Sequence, residues 1–312
     1  MMKRLMWAAP LAAVASMAAG QGKAADIPYA QPRVFPESVT VTKGGDLITG
    51  SLATGTIWRV RKGEAQASAW IDPAQSGLRS TLGVYADDAA HLLWVCSTGG
   101  FGDAPDERLS AVRTFDLRTG KALATYPMPN GSKDLCNDFA IARDGSAYIA
   151  ETLHGAVYRV KPGTAAIESW LVDPKLRGAD GIAFDDDGKL YVTSVMTGRA
   201  FRIAIGGDGK PGDVTELTPS RKLDRPDGLR ALGKGRFLVA EAGTAGGITV
   251  MTVKGDTLDV QTPLAGSPQG VTSAVALKGI AYGVVSQRRY LADPTLKAQD
   301  PGAFVIYSVP IK

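Results

Sequence analysis

The sequence predicts an all-β protein: a six-bladed β-propeller whose ring is closed by a strand from the N-terminal side. Three observations lead there. Strand–turn–strand units recur, as in "CNDFAIARDGSAYIAET" from Cys136, "ADGIAFDDDGKLYVTSV" from Ala179 and "PDGLRALGKGRFLVAEA" from Pro226. Looser copies begin at Pro36, Thr81 and Val271. Aligned on their turns, the copies place Glu37, Leu82, Asn137, Asp180, Asp227 and Thr272 in one equivalent slot, roughly 43 to 55 residues apart, the period of propeller blades rather than of helical repeats. Composition agrees: 37 Gly and 18 Pro supply turns, and 45% hydrophobic residues supply cores between repeats.

Residues 1–25 read as a signal peptide. Lys3 and Arg4 precede an apolar run of small residues too short to span a membrane, and Ala18-Ala19-Gly20 or Gly22-Lys23-Ala24 offers a cleavage site. Residues 26–312 then form one propeller domain, periplasmic or secreted, with no membrane span after cleavage. The cut removes Lys3, Arg4 and Lys23 but no acid from a chain of 35 bases and 31 acids, so the mature protein is nearly neutral. With no basic run and no RNA-binding aromatic motif, nucleic acid is excluded as a partner.

The repeats are justified in turn by alternation rich in Val, Ile, Tyr and Thr. The first runs from Ser38 to Ile71 with "TIWRVR" as its third strand; the second turns at Thr119-Gly120. The third, fourth and fifth continue through "GAVYRVKPGTAAIESWLV", "GRAFRIAIGGDGKPGDVTELT" and "GGITVMTVKGDTLDVQTPL". The sixth is interrupted by "RRYLADPTLKAQDPG" and lacks an outer strand, so "PYAQPRVF" near the N-terminus is expected to supply it. Cys96 and Cys136 fall near one face on adjacent blades, where either a disulfide or two buried thiols fit; two cysteines exclude a Cys-rich metal site.

Slot residues begin innermost strands and converge on the axis. Acids are 31 of 312 residues, so chance puts fewer than one carboxylate in six slots, yet three are present with the amide of Asn137. Three such carboxylates repel unless a cation joins them. All-oxygen donors without His or thiolate favour one hard divalent ion, Ca²⁺ first, with Mg²⁺ or Mn²⁺ as options. The alternative is that Asp180-Gly181 and Asp227-Gly228 are turn dipeptides.

The contexts "PES", "CNDFAIARDG", "ADGIAFDDDGKLYV" and "RPDGL" resemble the regucalcin/gluconolactonase/luciferin-regenerating-enzyme-like six-bladed propellers over nearly the whole mature chain. The resemblance implies Glu37, Asp180, Asp227 and Asn137 as metal ligands, Asp227 as general base, and Asn137 as a substrate contact. It implies a hydrolase of lactones or related esters. A weaker similarity to yellow/royal-jelly propellers lies in "RTFDLRTGKALATYPMP". That keeps open a second reading, a non-catalytic ligand- or protein-binding propeller with a structural axial cation. Where the regucalcin/gluconolactonase family usually has Asn-Gly in its fourth blade, this chain has Asp180-Gly181. Where the sugar-lactone-hydrolysing member has Arg two residues before the "ND" asparagine, this chain has Leu135.

Further candidates lie one layer out. Glu151, Ser194 and Glu241 share a position at the ends of second strands, from which Glu151 and Glu241 are expected to bind substrate. His154 is a candidate proton shuttle. Asp103, Asp106 and Glu107 are candidates for a lid, and Arg288 and Arg289 for a border that favours an anionic ligand. No nucleophile elbow, Walker loop, dinucleotide fingerprint or His-Glu-x-x-His occurs, which removes serine-hydrolase, nucleotide and zinc-protease readings. A small-molecule substrate or ligand and a monomeric state are expected.

Overall fold

The computed structural model describes residues 25–100 and 110–311, so the expected signal peptide lies, apart from Ala25, outside the described residues. The chain is built from short antiparallel meanders. The first comprises β2 (Pro36–Val41), β3 (Leu47–Ser51), β4 (Ile57–Val60) and β5 (Ser68–Ile71), after a short β1 (Ile27–Pro28) that belongs to the last sheet. The second comprises β6 (Ser80–Asp87), β7 (Leu92–Thr98), β8 (Ala111–Asp116) and β9 (Ala122–Pro127). The third comprises β10 (Cys136–Ile141), β11 (Ala147–Glu151), β12 (Ala156–Val160) and β13 (Glu168–Val172).

In the same order follow β14 (Ala179–Phe184), β15 (Leu190–Ser194), β16 (Arg199–Ile205) and β17 (Pro211–Pro219). After them come β18 (Pro226–Gly233), β19 (Arg236–Glu241), β20 (Ile248–Lys254) and β21 (Thr257–Val260). These two meanders fuse into one eight-stranded sheet because the outer strands β17 and β21 pair in parallel, Thr218 opposite Thr257. The last sheet contains β22 (Ser273–Leu277), β23 (Ile280–Val284) and β24 (Val305–Pro310), with β1 on its outer edge.

The N-terminal strand is shorter than "PYAQPRVF" suggests. Only Ile27 and Pro28 pair with Ile306 and Val305; Tyr29 crosses to the first meander and bridges Ala67. Prolines at positions 32 and 36 remove amide donors from the segment that follows, which does not extend the ladder.

The architecture is all-β and propeller-like. The innermost strands touch in chain order, β2 to β6, β10, β14, β18 and β22, and β22 touches β2. Side chains stitch neighbours together: Ser38 accepts from the Val84 amide at 3.2 Å, Thr40 from Ala86 at 3.0 Å, and Ser273 from Val39 at 3.1 Å. The apolar faces pack between sheets. One core joins Tyr148, Ala150 and Val157 of the third meander to Ile182, Val192 and Phe201 of the fourth. Each such core is closed by its neighbours, which is how a chain of this length avoids needing one large interior.

Cys96 at the end of β7 and Cys136 at the start of β10 form a disulfide between adjacent meanders, 40 residues apart in sequence, and both residues are buried. A loop of that length restricts the unfolded chain by about 4 kcal/mol. Cys96→Ser/Cys136→Ser protein is therefore expected to lose about 3–4 kcal/mol in a denaturant titration; an unchanged midpoint would show that the crosslink is energetically idle.

Candidate metal centre

Five inner strands carry the same irregularity at the slot. Pairing shifts by one residue between Pro36 and Val39, Thr81 and Val84, Cys136 and Phe139, Ala179 and Ile182, and Pro226 and Leu229. Each bulge contains the slot residue and its successor. An extra residue bends the strand and re-aims a side chain that ordinary alternation would send into a sheet interface. The chain often enters through a left-handed residue two positions earlier: Phe35 (φ 48°), Gly178 (φ 84°), Arg225 (φ 56°) and Gly270 (φ 68°).

The glycines after Asp180 and Asp227 are not turn residues, since both lie inside strands. A methyl group on Gly181 would collide with the Asp227 carbonyl, and one on Gly83 with the Asn137 carbonyl. Glycine is used here so that neighbouring inner strands can approach backbone to backbone.

Glu37, Asn137, Asp180 and Asp227 are all buried at the axis. The Asn137 amide donates from Nδ2 to Asp180 Oδ2 at 2.7 Å and to Thr152 Oγ1 at 3.0 Å. Thr152 in turn donates to the Ala179 carbonyl at 2.8 Å, so the amide is locked with its oxygen left over. Asp180 Oδ1 is buried with no hydrogen-bond partner, and among the described residues none donates to the Glu37 carboxylate. Asp180 and Asp227 stand within hydrogen-bond reach of each other. Two ionised carboxylates keep that distance only by sharing a proton or a cation.

The electrostatics state the same conflict. Burial, above all, pushes Asp180 up to about 7, with Asp138 adding repulsion against the hydrogen bonds from its neighbours. Burial, then the charges of Asp180 and Asp138, raises Glu37 well above the carboxylate range, while Arg288 and Arg230 pull it back. Burial, then Asp180 and Glu37, raises Asp227 likewise. The donor set is therefore three carboxylates and one amide oxygen, hard ligands that fit a divalent cation of the Ca²⁺ or Mg²⁺ type. The remaining slots hold Leu82 and Thr272, whose hydroxyl donates to the Glu37 carbonyl at 2.7 Å and braces that ligand's backbone.

A tighter acid–histidine group lies farther out: Asp134, Glu151 and His154 have ligand atoms within 4.8 Å of one another. Its carboxylates are already satisfied. Asp134 Oδ1 receives Tyr158 Oη and Asn130 Nδ2, each at about 3.0 Å. Glu151 receives the amides of Leu135, Leu153 and His154 at 3.0, 2.9 and 2.8 Å. His154 Nδ1 stands 3.2 Å from Asp134 and 3.5 Å from Glu151, at ion-pair distance from both when the ring is protonated.

Glu151 and Glu241, expected to touch substrate, are fully buried with their oxygens taken. Glu241 accepts from Arg221 at 3.0 and 2.6 Å, from Thr249 at 2.6 Å and from the Asp224 amide at 2.7 Å. The serines at the matching strand ends do the mirror-image job, donating to a carbonyl: Ser51 to Val34 at 2.7 Å and Ser194 to Arg177 at 2.8 Å. All four side chains latch the loop that leads into the slot, which assigns these two glutamates a structural task. The expected lid residues Asp103, Asp106 and Glu107 lie outside the described residues.

Sequence reading missed Arg230. It lies three residues past Asp227 and reaches across the axis to Asp138, in a bidentate pair with Nη2–Oδ1 at 2.9 Å. Its guanidinium also sits 5.5 Å from the Tyr85 ring centroid and donates to the Leu229 carbonyl. The pair spans 92 residues, and only the bulges reveal that both side chains point inward.

The SMP-30/gluconolactonase/LRE-like region model matches residues 11–280. No curated protein matches the sequence. Among solved structures, a gluconolactonase from Xanthomonas campestris is 16% identical, with 93% of this chain and 98% of that one covered at a TM-score of 0.66. The calcium-binding protein regucalcin from Agrobacterium tumefaciens is 14% identical, with 93% and 96% covered and a TM-score of 0.66. Virginiamycin B lyase from Staphylococcus aureus is 15% identical, with 82% and 79% covered and a TM-score of 0.60. At these identities the structures speak for the fold, whereas the sequence model runs through all four axial oxygen donors, and the chain belongs to the SMP-30/gluconolactonase/LRE-like family.

Proposed function

We propose that the protein is an exported, divalent-metal-dependent hydrolase of lactones or related esters. The ring counts six blades, closed by the N-terminal strand, and residues 26–312 form one domain. The ion is Ca²⁺, in keeping with a hard, all-oxygen donor set. The observation that carries this reading is the buried Asp180–Asp227 contact, with Asp180 Oδ1 unpartnered and Glu37 facing it without a donor.

Glu37, Asp180, Asp227 and the Asn137 amide oxygen would hold the cation. When bound, it polarises a carbonyl oxygen and stabilises the charge that develops there. Asp227 accepts the proton of the attacking water. Thr152 fixes which atom of the Asn137 amide faces the axis, and the Asp138–Arg230 pair closes the axial space beneath the ligands. Leu135 in place of an arginine argues for lactones other than sugar lactones.

The test is a panel of aliphatic, aryl and sugar lactones, assayed after chelation and after Ca²⁺ is restored. Turnover should vanish with chelator, return with Ca²⁺, and fall about 10²–10⁴-fold in Asp227→Ala. A chelator-sensitive melting temperature with no turnover of any ester would instead establish a binding protein with a structural ion.

A further inference from the structure

The face on which the slots open carries four exposed arginines whose guanidinium groups have no hydrogen-bond or ion-pair partner among the described residues. Arg79 stands three residues before Leu82, Arg177 three before Asp180, and Arg225 two before Asp227. Each belongs to the short segment that delivers an inner strand to the axis. Arg288 arrives from another direction, four residues past Val284, the end of β23. The Val284 carbonyl accepts from the Thr272 amide at 3.0 Å, and Thr272 holds the Glu37 carbonyl, so this loop leaves the sheet at the level of the ligands. The Arg288 charge is felt by both Glu37 and Asp180.

These cations come from three sheets, with Arg177 and Arg225 leading into the two halves of the eight-stranded one. Carboxylates on the same face are engaged elsewhere: Asp72, Asp173 and Asp224 each accept from a backbone amide of a turn or cap. A chain of net charge +4 thus gathers uncommitted guanidinium groups around one opening. Guanidinium forks match carboxylate geometry and remain charged at every working pH.

We propose that Arg79, Arg177, Arg225 and Arg288 form a crown that selects anionic substrates, lactones or esters carrying a free carboxylate, with Arg288 as the residue that grips that carboxylate beside the axial ligands. This rests on the hydrolase reading above. The crown draws the anion in, and the carbonyl to be attacked is held between the grip and the axis. Hydrolysis opens the ester bond and leaves a second carboxylate, so the product is a dianion whose release the same cations slow.

The experiment compares two γ-butyrolactones that differ only in one side group, carboxymethyl in one and propyl in the other, with the Ca²⁺-loaded enzyme. The kcat/KM ratio is expected to favour the carboxylate at least ~10-fold in low salt, to shrink as NaCl is raised, and to fall about 10-fold in Arg288→Gln. Arg118→Gln, on the opposite face, serves as the control and leaves the ratio unchanged. Equal kcat/KM for the two lactones, or a ratio untouched by Arg288→Gln, overturns the proposal while sparing the hydrolase reading. Should neither lactone be turned over, calorimetry with the ring-opened hydroxy-dicarboxylate decides. Binding weakened by Arg288→Gln supports the crown, and no binding rejects it.

Discussion

Arg230→Ala is expected to cost about 3–5 kcal/mol of folding stability. The substitution leaves the Asp138 carboxylate buried at the axis without its bidentate partner, next to a group of acids that already repel one another. It also removes the cation packed against Tyr85 and the donor to the Leu229 carbonyl. Urea titration of single and double variants separates the charge from the packing. Arg230→Met/Asp138→Leu should recover most of the loss, since replacing both members of a buried pair by apolar groups is often neutral. A double variant no more stable than Arg230→Ala would mean that the side-chain volume, not the unpaired charge, sets the cost.

The second large effect is an inverted pH response in metal-free protein. Asp180, pushed up to about 7 from 3.8, and Glu37 and Asp227, both raised, bind more protons folded than unfolded across the pH range between those values. Where the folded state binds more protons, stability falls as pH rises. After chelation, the melting temperature should therefore climb as pH is lowered from 8 towards 5. Each kcal/mol of this linkage moves it by about 2–4 °C. Ordinary acid lability resumes at lower pH, where Asp46, Glu168 and Glu241, whose pKa values are lowered, lose their donors' support. On the proposed reading, saturating Ca²⁺ should hold the three axial acids ionised and remove the climb. A metal-free melting temperature that drops steadily from pH 8 to 5 would show that these acids do not share one buried space.

Much of the fold was legible because propeller repeats write themselves in turns: Asp-Gly and Thr-Gly pairs, spacing and alternation located the strands to within a few residues. The slot was legible too, since equivalent positions in repeats must sit equivalently in space. Their chemistry was harder. The Asp180-Gly181 and Asp227-Gly228 pairs look like turns, and only the bulged register shows the glycines serving inter-strand contact and the aspartates serving the axis. Glu151 and Glu241 share the strand-end position correctly inferred for them, but alignment cannot tell an open carboxylate from one saturated by backbone amides or by Arg221. Arg230 gave no signal because its partner is 92 residues away and on a non-adjacent meander. Arg288, inside an interruption of the repeat, was legible as a pocket-border candidate, but with no equivalent position in the other repeats its level relative to the axial ligands was not.

The parallel contact between β17 and β21 has a mechanical result. It fastens the outer edges of the two meanders whose inner edges carry Asp180 and Asp227. Backbone bonds from Thr218 to Asp256 and from Ser220 to Leu258 complete the fastening. With the rims tied as well as the hub, the gap between the two aspartates is braced from the periphery as well as from the axis.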